Sequence, residues 1–469
     1  MVNDGKGTGG NAENGNRIPK VTNVGNVGRR SFLKATGVGA GAVTLAGCTT
    51  TQDGGDGGDG GDGSDGGDGG DGGTDTGDGG MDLPGTIKIG ALGPIDSPMG
   101  DSILKSANLA AKEIKANGGI GGSDLEVITK DTKDDPSTTR QGYQELTTGE
   151  NVHATVGIFG SENLLSIMGN IAQAKTPHLT AGAATPEAPA RVGDDYERNK
   201  YWFRVGPVNA VFLAESQIQF AKDRFESMGW EKIAFLAEDY KWTEPITSVI
   251  KERLENEVGV EVTQVQRIAE GTEDFTPIYD RLESQNVDGA YTALAHIGTT
   301  ALVQWAQQQR PFGFGGIHVP TQLPVFYDAT KGAAISTFSQ TTATANSPVT
   351  DKTIPYAEAY ADEYDGALPV YTGYSAYDAV YMAANAIEAA GSVEGDALVS
   401  ELEGMSYTGT SGTIEFFGQD GEFPHDVKYG PDLAQGIYFQ WQTEGEEGVQ
   451  KVIWPDDLQQ AEYQAPPWA

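Results

Sequence analysis

The residues able to do chemistry are few and far apart. Cys48 is the only thiol in 469 residues. It closes the run Leu45-Ala46-Gly47-Cys48, a small-residue pattern at which a leader is cut and the thiol is lipidated. A lone cysteine is otherwise a buried small hydrophobe. Here it stands between a signal-like run and a Gly/Asp tract, with nothing available to bury it. The histidines, at 153, 178, 296, 318 and 425, show no metal-ligand spacing. No H-E-x-x-H or G-x-S-x-G motif occurs, and the one cysteine belongs to the head, so the chain carries no hydrolase signature. What the folded part offers is binding chemistry. Ser161 falls where a strand ends and a helix begins. Its hydroxyl and the free N–H groups of that first turn can hold a carboxylate or carbonyl oxygen; the alternative is an ordinary N-cap.

The head reads as an address. Arg29 and Arg30, followed by Ser31-Phe32-Leu33-Lys34, match the twin-arginine export pattern, and the weakly apolar run Ala35–Leu45 leads to Cys48. That run is too short and glycine-rich for a membrane span, which needs about 20 apolar residues. The expectation is a signal peptide over 1–47. A lipid-anchored tether over 48–85 follows, holding the protein to the extracellular face of the cell membrane through Cys48. From Asp53 to Gly80 the chain is almost only Gly and Asp. It has no apolar surface to offset its ordering entropy, so a self-repelling coil is expected. A calcium-binding nonapeptide is the rival reading, but the period here is three.

Formal net charge is −36, with 31 Lys+Arg against 67 Asp+Glu. Such a surface repels nucleic acid and anionic lipid. Acidic residues recur throughout the folded part, a composition like that of halophile proteins.

About 380 residues remain after Thr86, enough for two domains. Strand and helix patterns alternate. Thr86–Gly93 reads as a strand, Asp101–Ala116 as a helix with Leu104, Ala107, Ala111 and Ile114 on one face, and Leu125–Lys130 as a strand. A helix at Ser137–Thr148, a strand at Ala154–Phe159, a helix at Ser161–Ala174 and a strand from Pro177 follow. A second series pairs strands Lys232–Ala237, Val260–Arg267 and Gly289–Leu294 with helices Glu244–Glu257, Phe275–Gln285 and Thr299–Gln309. Ile317 ends a further strand, Tyr356–Tyr364 and Ser375–Ala390 read as helices, and the tail from Gly409 is strand-rich. The fold class expected is α/β, with two doubly wound parallel-sheet lobes and a crevice at the carboxyl ends of their strands.

Several blocks carry a family resemblance. They are GPIDSPMG (Gly93–Gly100), ANLAAKEIKANGGIGGSDLEVITKDTKDDP (Ala107–Pro136), VGIFGSE (Val156–Glu162) and PHLTAGAATPE (Pro177–Glu187), with YTGYSAYDAVYMAANAIEAAG, GTSGTIEF and QDGEF further on. The order and nature of these blocks resemble the branched-chain amino-acid-type solute-binding proteins of ABC importers, the type I periplasmic binding proteins. The resemblance implies a monomeric, non-enzymatic receptor without cofactor or metal. It would capture a small-molecule solute, pass it to ABC permease subunits in the membrane, and bind no nucleic acid. A ligand sensor or amide-responsive regulator on the same fold is the alternative; an extracellular hydrolase is less favoured. Lobe 1 would comprise 86–207 with 337–408, and lobe 2 would comprise 208–336 with 409–469, joined by a hinge of three crossovers.

The resemblance also implies site residues. Gly160 and Ser161 would sit at the ligand-binding strand-to-helix turn. Ala183, Ala184 and Thr185 would form the second ligand loop, or a plain turn. Met99 stands where relatives carry an aromatic residue. Trp242 would line lobe 2 as a flat wall, unless it is filler. Ala295 and His296 fall at another wall position, where His296 is alternatively a solvent-edge residue, and Tyr371 or Tyr374 would reach the cleft from lobe 1. Amino-acid binders of the family place an acidic residue after the strand ending near Val319, to pair with the ligand ammonium. This chain has Pro320-Thr321-Gln322 there. Glu238 or Asp239 would have to substitute. An amide, a urea-like compound or a short carboxylate suits Thr321 and Gln322 at least as well as a branched-chain amino acid.

Overall fold

The computed structural model describes residues 83–469. The expected signal peptide, with Arg29, Arg30 and Cys48, and almost all of the tether lie outside the described residues. The chain is α/β. Its first sheet is parallel, in the order β2-β1-β3-β4-β5, built from β1 (Thr86–Gly93), β2 (Asp124–Asp131), β3 (Ala154–Gly157), β4 (His178–Thr180) and β5 (Trp202–Arg204). The second sheet has a parallel part made of β6 (Lys232–Glu238), β7 (Glu261–Ile268), β8 (Gly289–Leu294), β9 (Gly313–His318) and β10 (Phe338–Thr341). A short antiparallel pair, β11 (Ser406–Thr408) and β12 (Thr413–Glu415), stands apart. Antiparallel β13 (Ile437–Glu444) and β14 (Glu447–Trp454) complete the second sheet, whose order is β14-β13-β10-β9-β8-β6-β7. The central strands β3, β8 and β9 are buried along their whole length, as parallel strands covered on both faces must be.

Two segments cross the expected lobe boundaries. Strand β10, expected in lobe 1 as part of 337–408, pairs with β9 and β13 in the second sheet. The boundary there belongs after Thr341, because β9 and β13 need β10 between them to satisfy their edges. The stretch after Gly409, expected in lobe 2, first packs against lobe 1: the His425 ring stacks on Phe203 at 4.1 Å, and Asp426 pairs with Arg204. It rejoins the second sheet only at Ile437. Pro207, Thr342 and Gly436, one from each crossover, meet around a cavity of about 290 Å³ at the hinge.

The long helix Ala210–Met228 was not anticipated from sequence. Its signals are local. The Asn209 side chain accepts from the Val211 and Phe212 N–H groups, and Gly229 ends it with a positive φ of 73°. Buried Ser216 and Gln217 interrupt its apolar face and mask the helical period. Strand β5 and the helix Gly395–Glu403 were also missed. By contrast Ser161–Ala174 and Gly289–Leu294 have the expected limits.

Candidate functional site

The cleft forms where the carboxyl ends of both sheets face each other. On lobe 1, β3 ends at Gly157 with φ 116°, and a Cβ there would meet the Leu92 carbonyl oxygen at 2.2 Å. Only glycine permits that exit. Ile158 follows with φ 69°, and the chain then opens the helix Ser161–Ala174. Gly160 is the N-cap, with extended backbone and no side-chain cap. The first hydrogen bond at this end runs from Leu164 N–H to the Gly160 carbonyl, so the earlier N–H groups have no intrahelical acceptor. Ser161 is 4% exposed, and its hydroxyl bonds to nothing among the described residues. The N-cap alternative therefore fails, since the cap position is Gly160. The first turn is left with N–H groups able to bond an anion or a carbonyl oxygen.

The wall of lobe 2 is built around Glu238, the last residue of β6, which is fully buried. Its Oε2 accepts from the N–H groups of Ala295 (2.8 Å) and His296 (2.7 Å), just beyond β8. Its Oε1 accepts from the Trp242 indole N–H at 2.8 Å and meets His296 Nδ1 at 2.8 Å. Burial pushes this carboxyl upward, but the His296 ring, the Ala295 N–H and the Trp242 indole outweigh burial and hold it below the usual carboxylate range. One buried carboxylate thus fixes two wall residues. His296 also lies flat on Tyr240, with ring centroids 4.2 Å apart and planes 9° apart, and approaches Phe159 of lobe 1 at 5.8 Å.

The cleft between these walls has a volume of about 610 Å³. Gly160, Ser161, Ala184, Trp242, His296 and Tyr371 line it, and Gln322 does too. Ala183 and Thr185 do not; both are buried behind the wall, with their carbonyls bonded to Arg204. Thr321 is also buried behind it, its hydroxyl donating to the His318 carbonyl at 2.6 Å. Met99 lines an outer opening of about 960 Å³ that shares Phe159, Ala295, His296 and Val319 with the cleft. Of the two tyrosines, Tyr371 faces the cleft and donates to the Gly182 carbonyl at 3.3 Å, whereas Tyr374 is fully buried against Tyr356.

Gln322 is already engaged. Its Nε2 donates to the Gln340 carbonyl at 2.9 Å, and its Oε1 accepts from Thr341 at 3.2 Å. Asp239, the other acidic candidate, pairs with Arg267 at the surface. The acidic side chains lining the openings, Asp96, Asp134 and Glu162, are solvent-exposed at the edge. Sequence reading missed Phe159, Ile317, Val319 and Thr342 as lining residues. The first three follow or end strands β3 and β9, so the strand-end rule points to them. Thr342 was hidden because β10 was not anticipated. Its hydroxyl is buried without a partner among the described residues, a polar group left for a solute or water.

Two α/β lobes with a lined crevice and free helix N–H groups define a ligand-binding architecture, and comparison with known proteins agrees. The periplasmic binding protein family model matches residues 86–430, and the chain belongs to that family. It is 24% identical over 345 residues to the leucine-, isoleucine-, valine-, threonine- and alanine-binding protein of Pseudomonas aeruginosa, covering 71% of this chain and 86% of that one. Its fold is similar to that of an ABC-transporter solute-binding protein from Rhodopseudomonas palustris in complex with 3,4-dihydroxybenzoic acid. That match has a TM-score of 0.66 at 20% identity, covering 79% of this chain and 97% of that one. It is also similar to the substrate-binding protein LivJ from Streptococcus pneumoniae in complex with isoleucine, with a TM-score of 0.64 at 18% identity, covering 79% and 100%.

Proposed function

We propose that this protein is the solute-capturing component of an ABC importer, and that its solute is an organic carboxylate with a flat or apolar body and no ammonium group. The observation that carries this reading is the state of Glu238. Among the described residues it is the buried carboxylate behind the cleft wall, and its four hydrogen bonds are taken by Ala295, His296 and Trp242, while Glu162, which also lines the cleft, is exposed at its edge. A buried ammonium would find no free carboxylate oxygen to bond there, at a cost of several kcal/mol. The opposite lobe keeps Ser161 and the helix N–H groups free for a carboxylate. Trp242, His296, Phe159 and Tyr371 supply flat walls for the body.

A thermal-shift panel in high salt tests this with benzoate, hydroxybenzoates, short carboxylates, amides, urea and branched-chain amino acids. Ligand at 100 times Kd stabilises by about 2.7 kcal/mol. Benzoate-type acids are expected to raise Tm, while leucine and isoleucine leave it unchanged. Stabilisation by leucine alone would refute the carboxylate reading. Ser161→Ala is expected to weaken binding of the active acid about tenfold with Tm of the free protein unchanged.

The head supports export through Arg29-Arg30 and anchoring through Cys48, with the Gly/Asp tract as a tether that lets the receptor sample the medium beside its permease. Two acyl chains suffice for stable attachment. Cys48→Ala is expected to release the protein into the medium, measured by fractionation of cells and supernatant. Retention in the membrane fraction would remove Cys48 as the anchor.

A further inference from the structure

A buried ion pair sits directly behind the second ligand loop. Arg204, at the end of β5, is 0% exposed, as are Asp426 and Asn209. Arg204 Nε donates to Asp426 Oδ1 at 2.8 Å. Its Nη1 donates to the Ala183 carbonyl and its Nη2 to the Thr185 carbonyl at 2.6 Å. The carbonyl between them, that of Ala184, accepts from Ala210 N–H at 2.7 Å. Every carbonyl of the 183–185 loop is therefore held from outside the cleft. The N–H groups of Ala184 and Thr185 have no acceptor among the described residues. In a trans peptide the C=O and N–H point to opposite sides. The Ala183–Ala184 peptide gives its oxygen to Arg204, so the Ala184 N–H points away from Arg204. Ala184 lines the cleft and Arg204 does not.

We infer that Arg204, locked by Asp426, is the positioning residue of the solute site. It draws the loop's carbonyls out of the cleft, leaving the Ala184 N–H to complete, with Ser161, a cradle for the solute's carboxylate. The same cluster reaches the hinge. Asn209 Nδ2 donates to Asp426 Oδ2 at 3.1 Å while Asn209 Oδ1 caps the helix Ala210–Met228 of lobe 2. The loop that meets the solute and two crossover segments are thus fixed by one ion pair. Lysine replaces Arg204 only in part, because its ammonium gathers its donors at one point and lacks the planar fork that reaches three separate acceptors. This inference rests on the carboxylate reading above.

The test uses benzoate and benzamide, which share a flat ring and differ in charge. Removing Arg204 alone would strand Asp426 in the core, so the main variant is Arg204→Met with Asp426→Leu; apolar replacement of a whole buried pair is often neutral for stability. Circular dichroism and Tm establish folding. In the folded double variant benzoate affinity is expected to fall at least tenfold and benzamide affinity by less than twofold, with Arg204→Lys intermediate. An unchanged ratio of the two affinities would overturn the inference. A crystal structure of the double variant decides independently of any ligand. A turned Ala183–Ala184 peptide supports the role, and an unmoved one refutes it. Wild-type protein that binds neither probe would instead count against the carboxylate reading, leaving the crystal structure to judge Arg204.

Discussion

Glu238→Gln is expected to destabilise the protein by about 1–3 kcal/mol and to weaken solute binding more than tenfold. The carboxylate accepts from four donors on two oxygens. Glutamine keeps one oxygen, enough for the Ala295 and His296 N–H groups. Its NH₂ then faces the Trp242 indole N–H and His296 Nδ1. The histidine can change tautomer and accept; the indole cannot. A buried donor without a partner costs about 1–3 kcal/mol, and the lost charge weakens the remaining bonds. Trp242 and His296 then lose their fixed orientation, and the lobe 2 wall with them. Urea unfolding and calorimetric titration of benzoate measure both effects. A loss below 1 kcal/mol with unchanged affinity would show that the wall orients itself without Glu238.

The second large effect concerns pH. Asp378, on the helix Tyr371–Ala390, is fully buried and holds the turn between β11 and β12. Both its oxygens accept from the Thr410 N–H, at 2.9 and 2.8 Å, and Oδ2 also accepts from the Thr410 hydroxyl at 2.9 Å. The fit leaves no room at Gly409, where a Cβ would meet Asp378 Oδ2 at 2.4 Å. Burial pushes the carboxyl up to about 7, against the opposing pull of the Thr410 donors and the Lys352 charge. The folded state therefore holds this proton more tightly than the unfolded chain. Its contribution is complete below the ordinary value near 3.8, declines as pH rises to about 7, and is absent above. At ~1.4 kcal/mol per pH unit of separation it amounts to about 4 kcal/mol. Asp378→Asn mimics the protonated acid: its oxygen accepts the Thr410 N–H and its NH₂ donates to the hydroxyl. The variant is expected to match wild type near pH 4 and to exceed its stability by a few kcal/mol at pH 8. Denaturant titrations across that range read the difference. Parallel stability curves would mean that Asp378 is ionised in the folded state at all these pH values.

The sequence makes the alternation of strands and helices legible because each unit is local, and Ser161–Ala174 shows how well a Gly-Ser junction marks a helix start. Lobe membership is less legible. Strand β10 has only four residues, and what places it is pairing with β9 and β13, about 20 and 100 residues away along the chain. The site splits along the same line. Gly160, Ser161, Trp242 and His296 sit next to strand ends and were readable as candidates. That Glu238 is occupied was not readable, since its donors come from residues 295 and 296 and from a turn after β6. Arg204 was likewise hidden. An arginine in the apolar run Tyr201–Val205 is explained by Asp426, over 200 residues on, and by the Ala183 and Thr185 carbonyls about 20 residues before it.

The carboxylates at the cleft's openings have a kinetic consequence. Glu162 and Asp134 stand exposed at the edge of a chain whose net charge is −36. An anionic solute approaching this mouth meets like charge before it reaches the helix N–H groups. Such repulsion acts over about 10 Å at 0.1 M ionic strength but only about 3 Å at 1 M. Salt therefore removes the barrier to encounter while leaving the desolvated contacts inside nearly unscreened. For such a solute, capture quickens as the medium becomes more saline, the reverse of the dependence expected where opposite charges steer association.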